Sequence, residues 1–165
     1  MRPAIIGIDP GRTGGVAMLD DDGALIDGWR MPTLVRPGTT ATMKANHVVD
    51  GGALHTIISR CRPRVVVVEA VHAMPRQGVV SSFAFGRATG AAEAIAMACC
   101  TNVAWVAPAT WKKHFGLSSD KAASVDLAKR SFGVGYRWTK RVEEGIAEAA
   151  LIALWHIQKE ALIND

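Results

Sequence analysis

Four carboxylates stand in unusually apolar surroundings. Asp9 closes the segment "AIIGID" and precedes Pro10-Gly11; Glu69 closes the valine run of "RPRVVVVEAVH"; Glu144 and Glu148 lie in "TKRVEEGIAEAALIALWH". A charge at the rim of a buried element is costly unless something compensates it. For Asp9 that something is a local hydrogen bond, a basic side chain, a phosphate-binding turn or a metal. For Glu69 it is either an ordinary ion pair with Arg62, Arg64 or His72 or a metal, because Glu is a poor turn residue and Ala70-Val71 prolongs the apolar run. Glu144 and Glu148 are four apart and share one face of a helix, where like charges disfavour it by about 0.2–0.5 kcal/mol. Either Lys140 and Arg141 neutralise them or a cation sits between them.

Gathered at one place, Asp9, Glu69, Glu144 and Glu148 would make a hard, all-oxygen site suited to Mg²⁺ or Mn²⁺, with two ions in one centre. Zinc is disfavoured, since no cysteine or histidine recurs at a ligand spacing. Two such ions activate water and stabilise both oxygens of a phosphodiester displacement. The chemistry read from the residues is therefore metal-dependent phosphodiester hydrolysis.

The basic residues fit a polyanionic substrate. "APATWKKHFGLSSDKAASVDLAKR" carries Lys112, Lys113 and Lys121, which either form a solvated helix face or neutralise phosphates beside the carboxylates. "HAMPRQGVVSSFAFG" adds Arg76, Gln77, Phe83 and Phe85. Core filling is the ordinary role of Phe85, whereas Phe83, nearer the helix start, can wedge or stack against an unpaired base.

Several elements must bring these groups together. Residues 3–9, 15–19 and 24–31 read as three antiparallel strands, the last two joined by the turn Asp20-Asp21-Asp22-Gly23. Residues 32–46 lack periodicity and read as a surface loop; 47–59 carry a helical pattern through Val48, Leu54 and Ile58. The run at 64–70 suits a strand covered on both faces. Helices are expected at 79–99, 120–130 and 139–160, with Ser118 or Ser119 and then Thr139 as caps. A short strand is expected at 103–106, followed by a helical turn opened by Pro108. The order β-β-β-α-β-α-β-α-α implies an α/β domain, a mixed sheet with helices on both faces. It is not a dinucleotide-binding unit, because the early glycines precede a strand rather than a helix.

The chain of 165 residues is expected to form a single domain, 1–165, with 49% hydrophobic and 21% charged residues and a formal charge of +4. That charge permits nucleic acid without requiring it. Cys61, Cys99 and Cys100 make no disulfide framework and read as buried thiols. No apolar run is long enough to span a bilayer, so a soluble protein is expected, with no membrane partner.

Four segments in order carry a resemblance. "GIDPGRTGG", "VVVVEAVHAMPRQGVVSSFAFGRATG", "APATWKKHFGLSSDKAASVDLAKR" and "EEGIAEAALIAL" together resemble the RuvC family of Holliday-junction resolvases, most of all its short bacteriophage-type members. The resemblance implies an RNase H-like fold with a five-stranded mixed sheet, and a symmetric homodimer in a bacterial or phage-infected cytoplasm. It also implies paired nicks in four-way DNA junctions, leaving 5′-phosphate and 3′-hydroxyl ends. It assigns catalysis and metal binding to Asp9, Glu69, Glu144 and Glu148, and substrate contacts to Lys113 and Lys121. There is one departure: the cellular family members usually carry two aspartates three apart on the last helix, whereas Gly145 stands three before Glu148, so Glu144 must serve. The rival readings are a less selective nuclease of flaps, forks or RNA-containing duplexes, and a junction-binding protein that no longer cleaves. A sugar-kinase-like ATPase is disfavoured, since 165 residues cannot supply its two large lobes.

Overall fold

The structure is a computed structural model that describes residues 4–38, 45–72, 78–118, 121–133 and 143–164. Strand β1 (Ala4–Asp9) pairs antiparallel with β2 (Gly15–Asp20), which pairs antiparallel with β3 (Leu25–Arg30). A small hairpin follows, β4 (Thr33–Arg36) with β5 (Asn46–Val49), and then helix α1 (Gly51–Cys61). Strand β6 (Pro63–Glu69) lies parallel to β1, and after helix α2 (Val79–Cys99) strand β7 (Val103–Val106) lies parallel to β6. Helices α3 (Pro108–His114), α4 (Lys121–Phe132) and α5 (Glu144–Asn164) complete the chain. The five-stranded sheet has the order β3-β2-β1-β6-β7, with its first three strands antiparallel. That mixed sheet with flanking helices is the RNase H-like arrangement.

Alternation along the two central strands explains the layering. Ile5, Val65 and Val67 pack with Leu19, Trp111 and the segment 149–153 of α5. Ile6, Ile8, Val66 and Val68 point the other way, onto Leu54 and Ile58 of α1 and Ala92 and Ala96 of α2. Both faces of β1 and β6 are therefore covered, as the valine run predicted. The turn after β2 also forms as expected: Asp20 Oδ1 accepts from the N–H groups of Asp22 (3.1 Å) and Ala24 (2.8 Å), and Gly23 takes φ +84°.

Two expectations need correction. The segment 32–46 is not wholly loop, because residues 33–36 form β4, and the helix expected from residue 47 begins at Gly51. Asp50 decides the second point: its side chain accepts from Ala53 N–H at 3.0 Å and caps α1, leaving His47 and Val48 to pair in β5. The proposed caps Ser119 and Thr139, and Lys140 and Arg141, lie outside the described residues. Cys61, Cys99 and Cys100 are free thiols, half-buried rather than fully buried. Among the described residues, no helix is long and apolar enough to cross a membrane.

Candidate active site

Close backbone contacts set where α5 lies. Gly7 faces α5 in the middle of β1, and a Cβ there would come 1.9 Å from the carbonyl oxygen of Ala149. One helical turn earlier, Gly145 meets Gly14 in an isolated bridge, and a Cβ on Gly145 would lie 2.3 Å from the Gly14 carbonyl carbon. Gly15, the partner of Asp9 across β1 and β2, is pressed against Gly145 and Ile146. Backbone thus packs on backbone along the first two turns of α5, and Glu144 and Glu148 are carried to the same end of the sheet as Asp9. At Gly145 no side chain, acidic or otherwise, fits against the Gly14 backbone, so Glu144 is the acidic residue in the first turn of α5.

Glu69 ends β6, beside β1. It is 6% exposed, and its Oε1 accepts from Nε1 of the fully buried Trp111 at 2.8 Å. Glu148 is 7% exposed, and its Oε1 accepts from Ser124 Oγ at 3.2 Å and lies 3.1 Å from Lys112 Nζ. Trp111 and Lys112 are neighbours on α3, so this one short helix holds both buried carboxylates, one through an indole N–H and the other through an ammonium. Asp9 is half-buried and accepts from Gly11 N–H at 3.3 Å. Its local turn bond is therefore real. Glu144 is half-buried in the first turn of α5.

The predicted cluster of four is brought to one region but not into one cage. Among the described residues, no group of three or more His, Cys, Asp or Glu side chains is placed to hold a metal ion. The physical reason lies in α3 and α4: Glu148 is turned to Lys112 and Ser124, and Glu69 to Trp111. In donor chemistry the residues fit a hard divalent cation, being carboxylates on adjoining elements. Lys112 already supplies one positive charge there.

The substrate-side residues are distributed differently. Lys112, read either as part of a solvated helix face or as a phosphate contact, has its ammonium on Glu148; Lys113, next to it, is exposed. Phe83 is 67% exposed, with the Arg87 guanidinium 5.8 Å from its ring centroid. Lys121 opens α4, while Arg76 and Gln77 lie outside the described residues. Sequence reasoning missed Trp111 and Ser124, which hold the two buried carboxylates. Trp111 is next to Lys112, which was a usable signal.

No family profile and no curated protein matches the sequence. Among the solved structures that share the fold are two of RuvC. RuvC from T. thermophilus in complex with Holliday junction substrate superposes with a TM-score of 0.65 at 19% identity, covering 98% of this chain and 96% of that one. A second Thermus thermophilus RuvC structure gives a TM-score of 0.58 at 21% identity, covering 96% of each chain. Over nearly its whole length, then, this chain has the fold of those proteins.

Proposed function

We propose that this protein is a metal-dependent endonuclease of branched DNA that, as a homodimer, resolves four-way junctions by paired symmetric nicks. The observation that carries the reading is the pair of buried carboxylates, Glu69 and Glu148, at the Asp9 end of a sheet whose fold is that of a junction-bound RuvC. Asp9, Glu69, Glu144 and Glu148 would hold Mg²⁺ or Mn²⁺, two ions per site. The ions would supply Lewis-acid activation of water and stabilisation of the departing oxygen. The chain's own residues orient the site: Trp111 fixes Glu69, Ser124 and Lys112 fix Glu148, and the Gly11 N–H fixes Asp9. Lys113 and Lys121 would meet the DNA backbone, and Arg76, Gln77 and Phe83 the branch point.

The test compares matched four-way, three-way, flap and linear DNA with Mg²⁺. Symmetric nicks confined to the four-way substrate, with 5′-phosphate and 3′-hydroxyl ends, are expected. Glu69→Gln should bind the junction like the wild type and cut it at least about a hundred-fold more slowly. Equal cutting by this variant overturns the assignment. One observation favours a second reading: the Lys112–Glu148 pair gives this carboxylate an internal cation, as suits a junction-binding protein that no longer cleaves. Wild-type protein that binds junctions and never cuts them would select that reading.

A further inference from the structure

A cavity of about 110 Å³ lies between β5 and α2, on the β1–β2 turn side of the fold. Its floor is aliphatic and small: Ala84, Ala88 and Ala91 share one face of α2, opposite Val48 and Val49. Arg12 and Arg87, both exposed, line it together with His47 and Asn46. No acidic side chain is among the lining residues, and among the described residues neither arginine pairs with a carboxylate. At about 30 Å³ per water the space equals three or four water molecules, enough for one phosphate group.

The cavity leads towards the carboxylates. Arg12 and Ala84 also line an adjoining groove with Gly11, Thr13, Ser81 and Phe85. A Cβ on Gly11 would lie 3.7 Å from Asp9 Oδ1 and 3.9 Å from the Phe85 ring, so this groove ends beside Asp9. Phe83, with Arg87 over its ring, directly precedes Ala84, which lines both spaces. Paired guanidiniums suit phosphate oxygens, which they can grip with parallel N–H bonds. A basic groove with an aromatic at its edge is a way of tracking an unpaired strand.

From these positions we infer that Arg12, Arg87 and His47 bind a backbone phosphate of the DNA strand whose neighbouring phosphodiester lies at Asp9. This rests on the nuclease reading and deepens it. It gives the β4–β5 hairpin a task, carrying His47 and Asn46 to the substrate path.

The test measures binding of a labelled four-way junction in EDTA between 50 and 200 mM KCl. The double variant R12Q/R87Q should bind at least about fivefold more weakly. Its log–log salt dependence should be shallower by about 0.7–0.9, the change expected for one lost phosphate contact. R12K/R87K, which keeps both charges, should retain the wild-type slope, and R60Q, on α1 and outside the groove, should match the wild type. Unaltered melting is expected for each, since these side chains are exposed. Intact wild-type binding with an unchanged R12Q/R87Q slope overturns the groove alone. Wild-type protein that binds no junction ends the nuclease reading itself.

Discussion

The two carboxylates buried at the end of the sheet are stabilised by different chemistry. Glu69 receives a neutral indole N–H, which orients one oxygen without cancelling its charge. Glu148 receives a hydroxyl and an ammonium, and the ammonium also lies 5.1 Å from the Trp111 ring centroid. Breaking a buried pair leaves an uncompensated charge and costs about 3–5 kcal/mol; because the Lys112 side chain keeps 22% of its surface exposed, about 2 kcal/mol is expected for Lys112→Met. Thermal melting in EDTA checks this. Mg²⁺ should then raise the melting temperature of Lys112→Met more than that of the wild type, since a bound cation takes over the compensation. Equal shifts in both proteins would show that Glu148 takes no part in cation binding.

At the scale of elements, α5 is the part that makes the site, and glycine is what allows it. Gly7, Gly14, Gly15 and Gly145 remove the side chains that would otherwise hold the helix away from β1 and β2. Gly7→Ala should therefore be severe: its methyl would overlap the Ala149 carbonyl, and no rotamer change relieves a clash with backbone. A loss of about 3 kcal/mol is expected from overpacking, measured by urea denaturation. Any folded fraction should lose cleavage more than junction binding, because the displaced helix carries Glu144 and Glu148 while the basic surface is left in place. A Gly7→Ala protein as stable as the wild type would mean that α5 does not sit this close.

At the scale of the whole molecule, the far end of α5 is fastened by a second device. Arg64, at the start of β6, donates to Glu160 on α5 at 3.1 and 2.6 Å and to Asp21 of the β2–β3 turn at 2.6 Å. Hydrogen bonding to Arg64 holds the Glu160 carboxyl below its usual range, helped by the nearby His156. Burial pushes His156 down, and Arg64 and Lys159 act in the same direction, while Glu160, 3.3 Å away, opposes them. The two groups lose stability in turn as pH falls. Below the ordinary histidine value of 6.5 the unfolded chain takes up a proton that folded His156 resists. Below 4.5 the unfolded carboxyl protonates while folded Glu160 still holds its charge, so that contribution is lost through the lower folded value. The melting temperature should be flat between about pH 7 and 8, begin to fall near 6.5 and steepen below 4.5. His156→Gln should flatten the first decline and keep most of the second, because Arg64 is the main cause of the Glu160 shift and His156 a smaller one. A wild-type curve flat down to pH 5 would contradict this.

Much of this could be read along the chain, for reasons of local physics. A run of valines between turn formers has few alternatives to a covered strand, and an Asp-rich turn ending in Gly fixes a hairpin. Hence β1, β2, β3, β6, α2 and β7 were foreseeable within a residue or two, and so were the carboxylates closing β1 and β6. The β4–β5 hairpin was not, because its pairing is a contact between distant residues of weak pattern, and one capping bond at Asp50 moved the start of α1. Which group each carboxylate meets was equally out of reach. Lys112 looks like a phosphate ligand in the chain, yet folding turns it inward to Glu148; Arg12 and Arg87, 75 positions apart, share a groove only once α2 crosses the sheet. Local pattern specifies an element and its faces, because neighbouring residues set periodicity and turns. A site is made of convergence between distant segments, and that depends on how closely two backbones can pack, here on glycines whose missing side chains acquire meaning only when α5 lies down on β1.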